Sequence, residues 1–109
     1  METSIIVDGR AVAFSRESLK ELRSFFKALS DRVRLRIVQE LARGGEMRVS
    51  ELASAVRISQ PLVSWHLPRL KKVGLVRVRK EGRQRYCSLD REKLRYYRHL
   101  FARLLGEIP

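Results

Sequence analysis

Residues 59–76 read SQPLVSWHLPRLKKVGLV and contain no acid, although the 109-residue chain holds twelve. Ser59 is a good helix N-cap, because its hydroxyl can accept from a free backbone N–H of the first turn. Pro61 then falls in that first turn, where its missing N–H has no partner to lose. Leu62, Val63, Leu67 and Leu70 supply an apolar side, and Gly74 stops the helix near Val73. Pro68 is the awkward residue. In mid-helix it removes the bond to the Ser64 carbonyl, at a cost of ~3 kcal/mol unless the helix bends, so a local kink is expected.

The charge around this stretch is strongly biased. The formal net charge is +12, and between Ser59 and Leu89 eight basic residues face Glu81 alone. Such a balance favours a polyanionic partner, nucleic acid before an anionic membrane surface. No window approaches the ~18 apolar residues of a membrane span, the first residues do not resemble a signal peptide, and a cytoplasmic location is expected. A single cysteine, Cys87, excludes an internal disulfide framework and any paired-cysteine redox or zinc site within one chain. Two histidines thirty-three residues apart, with no Gly-rich phosphate loop and no paired carboxylates, give no enzyme constellation.

Outward from the opening stretch, VSELASAVRI (49–58) predicts a short helix with Leu52, Ala53 and Val56 inward, then a turn of two to three residues. Before it, Ser30 is expected to cap a helix over DRVRLRIVQELARGG, with Val33, Ile37, Val38 and Leu41 inward and Gly44-Gly45 at its end. Ser18 with Glu21 forms a capping box for an earlier helix, in which Leu19, Leu22, Phe26 and Leu29 make one stripe. Residues 1–14 are read as an N-terminal arm or short hairpin turning at Asp8-Gly9. After Gly74, LVRVRK alternates as a half-buried strand, EGR turns, and QRYCSL returns. Asp90 caps a last helix with Leu94, Tyr97, Phe101, Leu104 and Ile108 on one face.

Short helix, tight turn, acid-free capped helix and basic hairpin is the order of a winged helix-turn-helix. The expected fold is mainly α with a small β-wing, in the order α-α-α-α-β-β-α, the fourth helix being the recognition helix. Residues 15–109 form this domain. A helix entering the major groove must pass phosphates, so acids are disfavoured there, and its amino end offers free N–H groups to a phosphate.

The chain also resembles the ArsR-type (ArsR/SmtB) winged-helix repressors over residues 20–105. ALSDRVRLRIVQEL is similar to that family's second-helix signature, with Arg32 where Pro is usual. The Ser-Gln start, the Ser-x-His-Leu core at Ser64, His66 and Leu67, and GRQRYCSLD at the wing exit match as well. The resemblance implies base readout by Gln60, Pro61, Ser64, Trp65 and His66. It implies phosphate contacts by Ser59, Arg69, Arg79, Lys80, Arg83 and Arg85. Competing readings place His66 under the wing and Trp65 in the core, and pair Arg77 with Glu81.

Helices at about 18–29 and 90–106 present apolar stripes that the small core cannot cover. A homodimer interface of Leu19, Leu22, Phe26, Leu94, Tyr97, Phe101 and Leu104 is therefore expected, reading a pseudo-palindromic double-stranded DNA operator. The family's metal patterns are not met. Arg48 and Ser50 stand where one type has Cys-x-Cys, and Arg103 and Gly106 stand where another needs ligands along the last helix, so no metal and no cofactor is expected. Cys87 reads as a small buried residue. The expected function is a dimeric, sequence-specific repressor that occludes a promoter. The alternative is a non-specific architectural or RNA-binding winged helix. A small molecule, a protein or no inducer at all remains open from sequence.

Overall fold

The computed structural model describes residues 2–7 and 10–107. The chain begins with β1 (Glu2–Val7) and β2 (Arg10–Ser15), paired antiparallel from Glu2 opposite Ser15 to Val7 opposite Arg10. The Asp8-Gly9 turn and Ile108 lie outside the described residues. α1 (Arg16–Leu29) and α2 (Arg32–Gly44) follow, then β3 (Met47–Arg48), α3 (Val49–Val56) and α4 (Gln60–Lys72). The wing strands β4 (Val76–Glu81) and β5 (Gln84–Leu89) lead into α5 (Arg91–Leu104).

Two helix starts differ from expectation. α1 grows directly out of β2, so the cap is Ser15, whose Oγ accepts the Ser18 N–H at 3.0 Å, and Ser18 lies inside the first turn. α2 is capped by Asp31, extended at φ −156°, whose carboxylate accepts the Arg34 N–H at 2.9 Å. Ser30 instead closes α1, its N–H reaching the Lys27 carbonyl. Both expectations named a plausible hydroxyl but missed which neighbour first leaves the helical backbone region.

Ser59 caps α4 as expected, and α4 continues as one helix through Pro68, which lies on its exposed side; the expected kink does not break it. α3 ends at Val56. Arg57 takes the left-handed conformation (φ 60°, ψ 45°) and, with Ile58 and Ser59, makes the turn between α3 and α4. The sheet has three strands in the order β3-β5-β4, with Met47 opposite Cys87 and Val78 on the other side of that same residue. β3 was not expected, since two residues carry no periodicity of their own. The wing turn is Gly82-Arg83, with Gly82 at φ +60° in the first central position, as a type II′ hairpin requires.

One core joins these pieces. Phe14 ties the hairpin to it, and Ile37, Leu41, Leu52, Val63, Leu70, Leu75 and Cys87 are essentially sealed from solvent. Leu22 and Tyr97, expected at a dimer interface, belong to this core, with Phe25 stacked on Tyr97 at 4.3 Å between ring centroids. Leu100, which no stripe had included, is buried with them. Leu62, expected inside, is 49% exposed, because the buried face of α4 runs through Val63, His66, Leu67 and Leu70 instead.

Part of the positive charge holds the fold together. Arg34 donates to the Ala28 carbonyl in the last turn of α1 (2.6 Å) and Arg36 to the Val56 carbonyl ending α3 (3.1 Å). Arg91 donates to the Ala42 carbonyl near the end of α2 (2.8 Å). Helix carboxyl ends leave carbonyls without intrahelical donors and carry partial negative charge, so cationic donors from other elements satisfy both needs.

Candidate nucleic-acid interface

The outward side of α4 is set by helical spacing. Gln60, Ser64 and Pro68 form one row and Pro61, Trp65 and Arg69 the next. All are exposed except Ser64, which is half-buried. Trp65 is 55% exposed, and the Arg69 guanidinium lies 3.6 Å from its ring centroid while donating to the Trp65 carbonyl at 2.8 Å. The helix therefore presents an amide, an indole and a stacked guanidinium on one face. No carboxylate lies on α4 to oppose a phosphate.

Ser64 is not free. Arg85 of β5 donates to its hydroxyl and so ties the wing to the recognition helix. At the wing tip Lys80 and Arg83 are exposed, Arg83 at the turn itself. Arg79, expected among the phosphate contacts, is already matched. It bonds Glu46 at 2.7 Å and Glu81 at 2.8 Å and lies over the Tyr86 ring. With two carboxylates beside it, its charge is locally outweighed. Arg77 pairs with Asp90 at 2.9 Å, rather than with Glu81.

His66 departs most from its expected place in the groove. Its ring is buried, with Nδ1 3.1 Å from the Arg34 guanidinium and 3.7 Å from the Asp31 carboxylate. A guanidinium only donates, so Nδ1 is the acceptor and the proton sits on Nε2. Burial pushes the His66 pKa below its ordinary value, reinforced by Arg34 and Arg69 and opposed by Asp31. The ring is thus a neutral pin joining α4 to the α1–α2 junction, through the same Arg34 that closes α1.

A histidine whose folded pKa is depressed binds fewer protons folded than unfolded, so its contribution is whole above about 6.5 and is lost as pH falls below that. Urea midpoints should accordingly be lower near pH 5 than near pH 7. His66→Gln should flatten that difference, and an unaltered pH dependence in the variant would assign it to other groups. Asp31 is also lowered, chiefly by the Arg34 N–H, but titrates below this interval.

Cys87 is fully buried, and burial pushes its thiol up, away from the reactive thiolate. Among the described residues no group of three His, Cys, Asp or Glu side chains is placed to hold a metal ion. No helix among them is long and apolar enough to cross a membrane.

Residues 31–78, from the α2 cap to the wing, match the family described as bacterial regulatory protein, arsR family. The ArsR-like transcriptional regulator from Rhodococcus sp. RHA1 superposes with a TM-score of 0.74 at 32% identity, covering 84% of this chain and 85% of that one. The chain belongs to the ArsR family. As an ArsR-family member it is a DNA-binding winged helix-turn-helix transcriptional regulator, as its relatives are, and they are not enzymes. The transcriptional repressor SmtB homolog of Synechocystis is 38% identical over 87 residues, 79% of this chain and 65% of that relative's length. The homodimeric winged helix-turn-helix DNA-binding domain of Mb0332 from Mycobacterium bovis has a TM-score of 0.65 and 30% identity, over 77% of this chain and 78% of that one.

Proposed function

We propose that this ArsR-family chain is a homodimeric repressor that occludes a promoter at a pseudo-palindromic operator, and that it does not respond to a metal ion. The observation that carries the reading is the outward row of α4, where Gln60, Pro61, Ser64 and Trp65 lie beside a wing tipped by Lys80 and Arg83. Base edges need donors and acceptors such as the Gln60 amide, whereas a phosphate binder needs only Lys and Arg. Ser59, Arg69, Lys80, Arg83 and Arg85 supply the phosphate contacts. Arg79 is left out because its carboxylate partners neutralise it, and His66 because its ring faces inward.

Dimerisation is supported by Phe26 and Phe101, which remain about two-fifths exposed and meet edge-to-face at 5.2 Å, with Tyr96 and Leu105 exposed on α5 and just beyond its end. The Mycobacterium relative is a homodimer and the Synechocystis relative a repressor, which agrees with this reading. Arg48 and Ser50 at the start of α3 and the lone Cys87 argue against a thiolate metal site.

The test is fluorescence anisotropy against the gene's own upstream DNA and a scrambled duplex at two salt concentrations. Preference for the native fragment of ~10³ or more, surviving added salt, is expected; equal affinities that collapse together would leave a charge-driven architectural protein instead. Gln60→Ala should lower the preference by ~1–3 kcal/mol while leaving affinity for the scrambled duplex intact. It is a cleaner probe than Ser64→Ala, which also frees Arg85. Lys80→Ala with Arg83→Ala should weaken both duplexes alike and, at two contacts per protomer, reduce the salt slope of the dimer by about 4. An unchanged slope would remove the wing from the contact surface.

A further inference from the structure

Behind the carboxyl end of α4 lies a groove of about 680 Å³ between α1, α4 and α5 that shares only Arg69 with the proposed DNA-contacting set. α1 contributes Lys20 and Lys27, α4 contributes Arg69, Lys71 and Lys72, and α5 contributes Lys93. None of these six cations is ion-paired among the described residues. The one carboxylate on the lining, Glu21, already accepts the Tyr96 hydroxyl at 2.6 Å. Ala28, Val73 and the Tyr97 ring add apolar surface, and the Tyr97 hydroxyl is committed to the Val73 carbonyl at 2.7 Å.

Like charges around a concave, low-dielectric wall focus a positive potential that a multiply charged anion relieves. The volume falls within the ~300–1,000 Å³ usual for small-molecule sites, where apolar walls meet a few charged groups. We propose that this groove binds a small phosphorylated anion, a nucleotide or comparable organic phosphate, and that Arg69 couples its occupancy to the DNA-facing side of α4. Operator DNA is the less fitting occupant, because Gln60, Pro61, Ser64 and the wing tip all lie outside the groove. A second copy fits no better. Lys20, Ser24 and Lys27 form their own stripe, while Leu19 and Phe26 lie about a third of a turn round α1.

Arg69 is the shared residue. Its guanidinium rests on Trp65 and lines the groove as well. A phosphate there offers a charge-assisted, bidentate alternative to stacking. Occupancy draws Arg69 off the indole and takes a cation from the DNA-facing surface. Only this coupling rests on the repressor reading; binding is measured without DNA.

Trp65 is the only tryptophan, so its fluorescence reports the event. The protein is titrated with ADP and with inorganic pyrophosphate at ionic strength held constant by sodium chloride, with sodium sulfate as control. A saturable response to either phosphate, absent with sulfate, is expected, as is at least about tenfold weaker binding in the Lys20→Gln/Lys27→Gln variant. Both lysines are exposed on α1, outside the DNA set, so affinity of the variant for DNA alone should stay within about twofold. A response no different from sulfate, or a variant that titrates as the unmodified chain does, overturns the proposal. A tenfold loss of DNA affinity in the variant also overturns it, by placing the DNA backbone in the groove.

Discussion

Phe26→Glu combined with Phe101→Glu should leave a folded monomer that has lost most of its affinity for a two-half-site operator. The two rings are the exposed part of an aromatic cluster whose inner members, Phe25 and Tyr97, stack within the protomer core. The outer pair can therefore be changed without opening that core. Burying a carboxylate against its own symmetry mate sets like charges together in a dry interface, where desolvation and repulsion both oppose association. A loss of about 3 kcal/mol or more in dimer stability, over a hundredfold in dissociation constant, is the expected scale. A monomer engages one half-site at a time and forgoes the ~10²–10⁴ advantage of linked binding. Sedimentation equilibrium gives the mass and anisotropy the operator affinity. A variant that stays dimeric moves the interface away from α1 and α5.

Leu70→Ala carries the largest expected effect on stability. Leu70 is completely buried on the inner face of α4, and its carbonyl accepts the Leu75 N–H at 3.1 Å where the chain leaves the helix for the wing. Truncating a leucine in such a site removes its transfer free energy and leaves a cavity, together ~2–5 kcal/mol. For a domain of this size each kcal/mol moves the midpoint by roughly 4–8 °C, so thermal unfolding should fall by about 10 °C or more. Below the new midpoint the preference for the cognate duplex should persist, since Gln60, Ser64 and Trp65 are untouched. If preference disappears while the chain is still folded, Leu70 sets the angle of the recognition helix as well as its attachment.

The acid-free stretch could be read correctly in isolation because its signals are local. An N-cap hydroxyl, a proline in the first turn and a glycine stop act within one or two turns of helix, and strand alternation in the wing acts over a few residues. Trp65, for which the resemblance implied base readout and a competing reading the core, is 55% exposed. Local reasoning slipped where two neighbours competed for one role, as with Ser30 and Asp31 at the start of α2. It also slipped on Leu62, whose inward placement needed the phase of α4 against its neighbours.

The sequence by itself therefore determined the order of the helices and the two wing strands, the basic, acid-free face of α4, the polarity of the wing and the absence of paired thiols. Those properties follow from backbone propensity, side-chain period and residue chemistry, which a chain carries before it folds. Only the tertiary structure decided which partners the conspicuous polar residues take within the chain. It turned His66 inward onto Arg34, bound Ser64 to Arg85, matched Arg79 with Glu46 and spent Arg34, Arg36 and Arg91 on helix ends. All but one of those partners stand twenty or more residues apart in the chain, and Ala28 precedes Arg34 by six across a helix break. No local period encodes such pairs. A hydrogen bond or ion pair depends on a distance that packing alone sets.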